Sequence, residues 1–261
     1  MRREEVKRLV RRACKLQHFG AILEQQQQND SSSTNDATEE SSSSAAGEQQ
    51  QQKNTQQQQN IATIDGEPLR LEWRWGTRLD EADPAWAFDL FKRNMRELYL
   101  KSQWGYDERA KQQELTATTA RYLLVRNASA RPVAYVHFRF VEDEGRAVLY
   151  CFELQVEPDY QQKGIGAQLI DCLEQLANAT QMELLMATVF AFNGASLAFF
   201  HKRGFRTDSS CRFGRDGANG RDFVILSKQL PRRPDGAKNE NEKQKEEAAG
   251  SAENGKRKRK K

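Results

Sequence analysis

The sequence lacks any apolar run close to the roughly 20 residues that a helix needs to cross a bilayer. Its first residues also lack the apolar core of a signal peptide. We therefore expect no membrane span and no membrane partner. Apolar residues are scarce overall, at 37% of the 261 residues, which is low for a fully folded chain. Part of the chain therefore cannot bury enough apolar surface to offset the entropy lost on ordering it.

The shortage of apolar residues is local. One stretch is mostly Gln, Asn, Ser and Thr, and the last stretch is charged or small and ends in six consecutive basic residues. The composition predicts a basic N-terminal helix over 1–24, a disordered Gln/Ser-rich segment over 25–65, one folded domain over 66–230 and a disordered charged tail over 231–261. We expect the apolar stripe of the first helix to pack on its own domain. A partner or an anionic surface is the alternative.

Cysteine spacing excludes the common metal and redox motifs. No two of the four cysteines (Cys14, Cys151, Cys172 and Cys211) stand in a C-x-x-C pair. We expect no bound metal and a reducing compartment. The formal net charge of +4 is mild, but basic residues gather at both ends of the chain. Such runs predict an import receptor or a nucleic acid as partner, and a solvated tail is the alternative.

Hydrophobic periodicity predicts a mixed α+β fold with a central sheet and flanking helices. Three central strands are joined by connections of hairpin length and form an antiparallel meander. The strands that follow alternate with helices. The predicted strands are 69–75, 121–126, 133–141, 148–156, 183–189 and 223–226, and the predicted helices are 83–99, 107–115, one that begins near 165 and 194–203.

A glycine-bearing loop, Gln161–Gly166, lies between a strand and a helix. A helix N-terminus leaves backbone N–H groups unpaired and carries positive dipole charge, so it suits a phosphate. The loop is not a Walker loop, since no Gly-Lys-Ser/Thr occurs, and position 169 is Leu, where a dinucleotide fingerprint needs Gly. The alternative is a structural turn before a helix.

The spacing Gln-x-x-Gly-x-Gly after a meander strand, followed by helix, strand, Asn and helix, resembles the pyrophosphate loop of the GNAT acetyltransferases. The resemblance implies the acyl-CoA N-acyltransferase fold and acetyl-CoA as co-substrate. It also implies that the strand before the loop splays from the next parallel strand, so that the pantetheine of coenzyme A inserts between them. The residues that it assigns to coenzyme A are Leu154, Gln155, Val156, Gln162, Lys163, Gly164, Ile165, Gly166, Ala167 and Asn193.

Several separate short sequence segments are similar to those of the N-alpha-acetyltransferase D family within that superfamily. This resemblance runs from about Leu71 to Ser227. It implies an enzyme that acetylates the free α-amine of histone tails beginning Ser-Gly-Arg-Gly. We also expect a monomer, and from the basic runs we expect it in nucleus and cytoplasm. The segments are Trp86-Ala87-Phe88-Asp89-Leu90, Asn94-Met95, Ser102-Gln103-Trp104-Gly105-Tyr106, His137-Phe138-Arg139-Phe140, Val148-Leu149-Tyr150-Cys151-Phe152-Glu153 and Thr188-Val189-Phe190.

Glu153 is the candidate general base. It is an isolated charge inside an apolar strand, where a partly desolvated carboxylate takes up a proton more readily than in water. The resemblance implies the same role. The alternative is a side chain that faces solvent on the other side of the strand.

The resemblance assigns the peptide site to Tyr99, Trp104, Tyr150 and Thr188, although core packing explains such residues equally well. The sequence departs from the family at three of its substrate positions. Val141 stands where the family has an acid, so that Glu142 or Asp143 would have to meet a substrate arginine. Phe152 and Phe223 stand where the family has tyrosine.

Three functions stay open at this stage. The first is direct transfer to a protein α-amine in a ternary complex, without a covalent enzyme intermediate. The second is transfer to lysine side chains or small amines, whose higher pKa demands stronger deprotonation. The third is a non-catalytic module that binds nucleic acid through its basic ends.

Overall fold

The computed structural model describes residues 3–16, 58–64, 67–211 and 222–231. Within these ranges the chain forms five α-helices and eight β-strands. The helices are α1 (Arg3–Lys15), α2 (Asp83–Lys101), α3 (Glu108–Leu115), α4 (Ile165–Ala179) and α5 (Gly194–Lys202). The strands are β1 (Gln58–Ile64), β2 (Glu67–Trp75), β3 (Arg121–Arg126), β4 (Pro132–Asp143), β5 (Arg146–Val156), β6 (Leu184–Phe190), β7 (Arg206–Thr207) and β8 (Phe223–Gln229).

All eight strands join one sheet in the order β1-β2-β3-β4-β5-β6-β8-β7. Neighbours from β1 to β5 are antiparallel. Short connections join β3 to β4 and β4 to β5, whereas α2 and α3 lie between β2 and β3. β5 and β6 are parallel, and α4 supplies the crossover between them. β8 pairs antiparallel with both β6 and β7. The predicted fold class, a mixed α+β sheet with flanking helices, is therefore confirmed.

Helices cover both faces of the sheet, because alternate strand residues are apolar on either side. On one face, α1, α4 and α5 pack against a large apolar cluster that includes Leu123, Val136 and Phe138. On the other face, Ala87 and Leu90 of α2 and Leu115 of α3 pack on a smaller cluster. Its sheet residues are Tyr122, Leu124 and Tyr135. α1 buries Val6 and Ala13 in the larger cluster, so this helix packs on its own domain.

Two strands were missed by the periodicity. β1 lies inside the segment 25–65 that the composition predicts to be disordered, so that boundary is corrected to before Gln58. An edge strand pairs through its backbone with a single neighbour, here β2, and does not require an apolar pattern. β7 has only two residues, too few to show any period. The expectations for 17–57 and 232–261 lie outside the described residues.

No described helix is long and apolar enough to span a membrane.

Candidate active site

The central feature of the site is the separation of two parallel strands. β5 and β6 pair from Val148 with Leu184 to Cys151 with Ala187, and no further. Beyond that point β5 stays with β4, while β6 stays with β8 up to Phe190. A gap therefore opens between the second half of β5 and the end of β6. Its edges carry backbone N–H and C=O groups that no neighbouring strand of the sheet takes up, as the resemblance implied for a pantetheine site.

A β-bulge in β5 decides which side chains enter this gap. His137 pairs with Glu153 and Phe138 with Cys151, so Phe152 is the extra residue. In a regular strand, residues two apart share a face. The bulge instead places Cys151 on the face of the larger cluster and Glu153 on the face covered by α2 and α3. The sequence pattern carries no signal for this shift.

Glu153 is buried at the base of the gap with both carboxylate oxygens engaged. Its exposed fraction is 6%. Lys111 Nζ donates to Oε1 at 2.8 Å, and Gln155 Nε2 donates to Oε2 at 2.9 Å. Gln155 is held in turn by Asn94 Nδ2, which donates to its Oε1 at 3.0 Å. The prediction that Glu153 faces the interior rather than solvent is confirmed, and its carboxylate has a fixed orientation.

Lys111 and Glu114 of α3 were missed by sequence reasoning. Lys111 Nζ also donates to Glu114 Oε1 at 2.7 Å, so one buried ammonium bridges two carboxylates. Burial by itself lowers the pKa of Lys111, but the charge of Glu153, with Tyr99 and Glu114, outweighs burial and holds that pKa above its ordinary value. The one available signal was that Lys111 lies four residues before the buried Leu115, on the inward side of an otherwise polar helix.

The loop that leads into α4 is shaped to bind an anion. Gln162 has φ +60° and Gly164 has φ +89°, and left-handed residues of this kind turn successive N–H groups toward one concave side. Gly164 is the N-cap of α4, and no side chain caps its first turn. A Cβ on Gly166 would lie 3.4 Å from Phe199 and 3.5 Å from Leu154. Gly164 is therefore required by backbone conformation and Gly166 by close packing of α4.

α2 holds the divergent half of β5 in place. Arg93 makes a bidentate ion pair with the buried Glu157, in which Nη1 donates to Oε2 at 2.9 Å and Nη2 donates to Oε1 at 3.0 Å. Trp86 Nε1 donates to the same Oε1 at 2.9 Å. The carbonyl of Val156 accepts from Asn94 Nδ2 at 3.2 Å and from Gln161 Nε2 at 3.1 Å. These contacts support β5 where β6 no longer does.

Aromatic side chains wall the gap on the side away from the loop. Tyr99 packs on Phe190 with ring centroids 5.0 Å apart, and Trp104 packs on Phe190 at 5.3 Å and on Phe223 at 5.0 Å. Trp104 is 51% exposed, so this wall reaches the surface. At the point of separation, Tyr150 and Thr188 share a hydrogen bond of 2.5 Å that joins β5 to β6.

The cleft that these elements enclose has a volume of about 1180 Å³. It brings together Glu153, nine of the ten residues assigned to coenzyme A and five of the eight assigned to substrate. The residues in the lining are Glu153, Leu154, Gln155, Val156, Gln162, Gly164, Ile165, Gly166, Ala167, Asn193, Tyr99, Trp104, Tyr150, Phe152 and Thr188.

Four predicted residues lie outside the lining, namely Lys163, Val141, Asp143 and Phe223. Lys163 has its ammonium over the Tyr160 ring, at 5.7 Å. Phe223 stands behind Trp104. Val141 packs in a separate apolar cluster with Val148, which is roughly 16 Å from Glu153 along β5 at about 3.3 Å per residue.

The two acids that follow Val141 are already engaged. Arg146 donates to Asp143 at 2.5 Å, and Arg3 donates to Glu142 at 3.3 Å. The cleft obtains its second acid from Glu114 instead, a side chain that is 31% exposed.

The cysteines near the cleft are poor nucleophiles. Burial, reinforced by the charge of Glu153, raises the pKa of the Cys151 thiol, and burial raises that of Cys172 to about 11. A thiol in this state does not provide the thiolate that covalent catalysis needs. Within the described ranges no group of three or more His, Cys, Asp or Glu side chains is placed to hold a metal.

The geometry fits an acyl-CoA. Apolar ligand pockets usually measure about 300–1,000 Å³, so this cleft has room for a large ligand and part of a second one. The anion-binding loop suits a diphosphate, the open strand edges suit an amide-bearing arm, and the buried carboxylate lies at the inner end. Asn193 lines the cleft and caps α5, where its Oδ1 accepts from Ser196 N at 3.2 Å.

Comparison with known proteins agrees with this geometry. The sequence model of the acetyltransferase (GNAT) family matches residues 87–205, from the middle of α2 to the end of α5. These residues include the bulge, Glu153, the anion-binding loop and Asn193.

Several solved structures are also similar. NAA60 of Arabidopsis thaliana, in complex with a bisubstrate analogue, has 12% identity and a TM-score of 0.45, covering 62% of this chain and 99% of that one. A ribosomal-protein alanine N-acetyltransferase from Escherichia coli has 17% identity and a TM-score of 0.44, covering 65% and 99%. The yncA protein of Salmonella typhimurium, solved with its cofactor acetyl-CoA, has 20% identity and a TM-score of 0.45, covering 64% and 99%. Over residues 87–205, which carry the cleft, the chain is therefore similar to the acetyltransferase (GNAT) family.

Proposed function

We propose that this protein acetylates the free α-amine of protein N-termini, with histone tails that begin Ser-Gly-Arg-Gly as its substrates. The observation that carries the proposal is Glu153, buried and fixed where β5 and β6 separate. A base at this position lies at the inner end of a cleft that fits acetyl-CoA. It can therefore take a proton from an amine that approaches a bound thioester.

Acetyl-CoA supplies the activated acetyl group as a thioester. The chain's residues hold the amine, remove one proton from it and exclude water. In the overall reaction a nitrogen–carbon bond forms and a carbon–sulfur bond breaks. Glu153 takes the amine proton, and coenzyme A leaves as a thiol after it gains one proton. The buried, protonated Cys151 supports direct transfer rather than a covalent enzyme intermediate.

The charges in the cleft support an amine as acceptor. Glu153 and Glu114 face one ammonium, that of Lys111, so the three groups together carry one net negative charge. An α-ammonium with a pKa of about 8 is drawn to this site and is in part neutral already at pH 7. A lysine side chain, with a pKa of about 10.4, is almost fully protonated at pH 7 and is therefore harder for the same base to deprotonate.

A protein substrate is supported by the rim of the cleft. The large apolar side chains that are most exposed among the described residues are Leu100, Trp104 and Phe192, at 50%, 51% and 43%. Trp104 lines the cleft, and Phe192 stacks on the lining residue Phe190 at 5.2 Å. An apolar rim of this kind suits a polypeptide that continues beyond its first residue, whereas a small amine does not reach it.

The histone preference is supported by the short sequence segments that are similar to those of the N-alpha-acetyltransferase D family. Three positions bear on it. Val141 supplies no acid, and Phe152 and Phe223 supply no hydroxyl. We propose that Glu114 meets the positive charge of the substrate in place of the missing acid, since it lines the cleft and is partly exposed.

We further propose that the protein acts in nucleus and cytoplasm. α1 supports a polyanionic partner or an import receptor. Its exposed residues Arg8, Arg11, Arg12 and Lys15 follow the spacing i, i+3, i+4 and i+7, and therefore form one basic stripe opposite the buried Val6.

The test is a mass-spectrometric assay with acetyl-CoA and a set of peptides. One peptide begins Ser-Gly-Arg-Gly with a free α-amine, the second is the same peptide with a blocked α-amine and a free lysine, and the third is an unrelated free N-terminus. We expect acetylation at the α-nitrogen of the first peptide. For Glu153→Gln we expect a rate lower by ~10²-fold or more, the usual scale for loss of a general base.

Glu97→Gln is the matched control, because Glu97 lies on the exposed side of α2. It should retain the activity of the wild type. Equal rates for the wild type and Glu153→Gln remove Glu153 from the mechanism. A product on the blocked peptide alone moves the assignment to lysine, and no product on any free amine supports a non-catalytic module.

A further inference from the structure

Lys111 is unusual because its charged nitrogen is buried beside the candidate base. Its side chain is 8% exposed and that of Glu153 is 5% exposed. The ammonium also lies 4.7 Å from the centre of the Phe91 ring and 5.2 Å from that of Tyr99. Two carboxylates and two aromatic faces therefore enclose it. Buried lysines are rare, and the contacts of this one all converge on the proposed acceptor site.

We propose that Lys111 is a positioning residue that keeps Glu153 ionised and turns its carboxylate toward the incoming amine. The proposal rests on the role of Glu153 in the proposed function. Lys111 does not exchange protons with the substrate in this account. It acts through its positive charge and through its hydrogen bond to Glu153.

The geometry explains how one ammonium does both tasks. Lys111 holds Oε1 at 2.8 Å and Gln155 holds Oε2 at 2.9 Å, so the plane of the carboxylate is fixed. Glu114, at 2.7 Å, holds the ammonium from its other side and keeps it from following the substrate. A charged hydrogen bond of this length is strong because little water reaches it.

Burial makes the charge of Glu153 depend on its neighbours. A carboxylate with no partner in an apolar site favours its neutral form, which cannot accept a proton from an amine. A neighbouring ammonium favours the charged form. The same positive charge disfavours a second ammonium beside it, so the bound substrate amine gives up its proton more readily. Loss of Lys111 therefore leaves less of Glu153 ionised and makes the substrate ammonium a weaker acid.

The other groups around Glu153 keep one protonation state near neutral pH. Burial, together with the charge of Glu153, raises the pKa of each neighbouring tyrosine, to about 12 for Tyr99, and raises that of the Cys151 thiol. Burial and two nearby cations hold the pKa of His137 well below its ordinary value. The charged and titratable groups that face Glu153 are Tyr99 on α2, Lys111 and Glu114 on α3, Tyr122 on β3, Tyr135, His137 and Arg139 on β4, and Cys151 on β5.

These tyrosines, Cys151 and His137 therefore do not account for a change in activity between about pH 7 and pH 9. Two kinds of measurement test the role of Lys111. One uses the protein alone, and the other uses turnover.

The first measurement is carbon-13 NMR of the glutamate carboxyl carbons in the full-length protein without ligands. Glu153→Gln identifies the Glu153 signal by its disappearance. In Lys111→Met we expect the titration midpoint of that signal to rise by about 1–3 pH units, the usual effect of an adjacent opposite charge. Lys111→Arg should restore the wild-type midpoint. Lys101→Met, at the exposed end of α2, should not change it.

Lys111→Gln keeps a hydrogen-bond donor without the charge, and it takes the place of the Met variant if that protein does not fold. It too should raise the midpoint. A midpoint that stays at the wild-type value in the folded, neutral variants overturns the proposal. The ion pair of Lys111 with Glu153 then has only a structural role.

The second measurement is the pH dependence of kcat/KM on the free-amine peptide. We expect the acid limb of Lys111→Met to move upward, so that activity falls about tenfold near pH 6 and recovers toward the wild type near pH 9. A uniform loss at every pH contradicts the proposal. If Glu153→Gln is fully active, the proposed function fails, while the NMR titration still decides whether Lys111 controls the charge of Glu153.

Discussion

At the scale of single residues, the binding loop depends on one backbone angle. Gly164 has φ +89° and open space where a Cβ would be, so only conformation opposes a side chain there. We expect Gly164→Ala to lower the free energy of unfolding by about 1–2 kcal/mol, the usual cost of a left-handed residue other than glycine. Relaxation of that strain should turn the loop N–H groups away and weaken acetyl-CoA binding roughly tenfold, or about 1.4 kcal/mol.

Gly145 provides the matched control. It has φ +77°, it also has open space at its Cβ position, and it lies in the β4–β5 turn outside the cleft. Gly145→Ala should lose similar stability in urea unfolding and bind acetyl-CoA like the wild type in calorimetry. Equal weakening by both substitutions would show that binding follows global stability and not the loop.

At the scale of elements, periodicity predicted the helices and strands that carry the site. α2, α3, β3 and β5 were all found close to their predicted bounds. α2 has apolar residues at the helical spacing, and β3 and β5 are largely apolar runs, whereas α3 is a polar helix that buries Lys111 and Leu115. The glycine loop was predicted because N–H groups at a helix start and a glycine N-cap are local features, visible in six consecutive residues.

The features that were missed depend on the alignment of distant segments. The bulge at Phe152 exists only relative to β4, and the contact of Lys111 with Glu153 joins residues 42 positions apart. β1 depends on backbone pairing, which side-chain patterns do not encode. The engaged state of Glu142 and Asp143 likewise requires the position of α1 and the hairpin partner Arg146. A one-residue register shift is what turns Glu153 toward the cleft, so its burial beside Lys111 is visible only in the fold.

At the scale of the whole molecule, the free energy of unfolding should depend on one buried histidine. His137 is fully buried, between the rings of Tyr122 and Phe152, and burial holds its pKa well below the ordinary value near 6.5. The unfolded chain takes up a proton below about pH 6.5, whereas the folded chain does not. The contribution of His137 to the free energy of unfolding is therefore fully present above about pH 6.5. Below that pH the free energy of unfolding falls, with a limiting slope of about 1.4 kcal/mol per pH unit.

We expect urea unfolding of the wild type to give roughly 1.3 kcal/mol less stability at about pH 5.5 than at about pH 7 from this group. His137→Phe should remove that difference, although it changes the absolute stability. His201→Gln, at an exposed position, should retain it. A wild-type curve that is flat across this range would mean that His137 takes up its proton in the folded state.

The sheet opens between two parallel strands, with the glycine loop at one end of the opening and the buried carboxylate of Glu153 at the other. We propose that the loop binds the diphosphate of acetyl-CoA and that Glu153 is the base. Isothermal titration calorimetry of acetyl-CoA into the purified full-length protein tests this description most directly. The account predicts one molecule bound per chain, with a dissociation constant within the range of about 1 μM to 1 mM usual for enzyme substrates. It also predicts competition by free coenzyme A. Absence of any binding heat at several temperatures would contradict it.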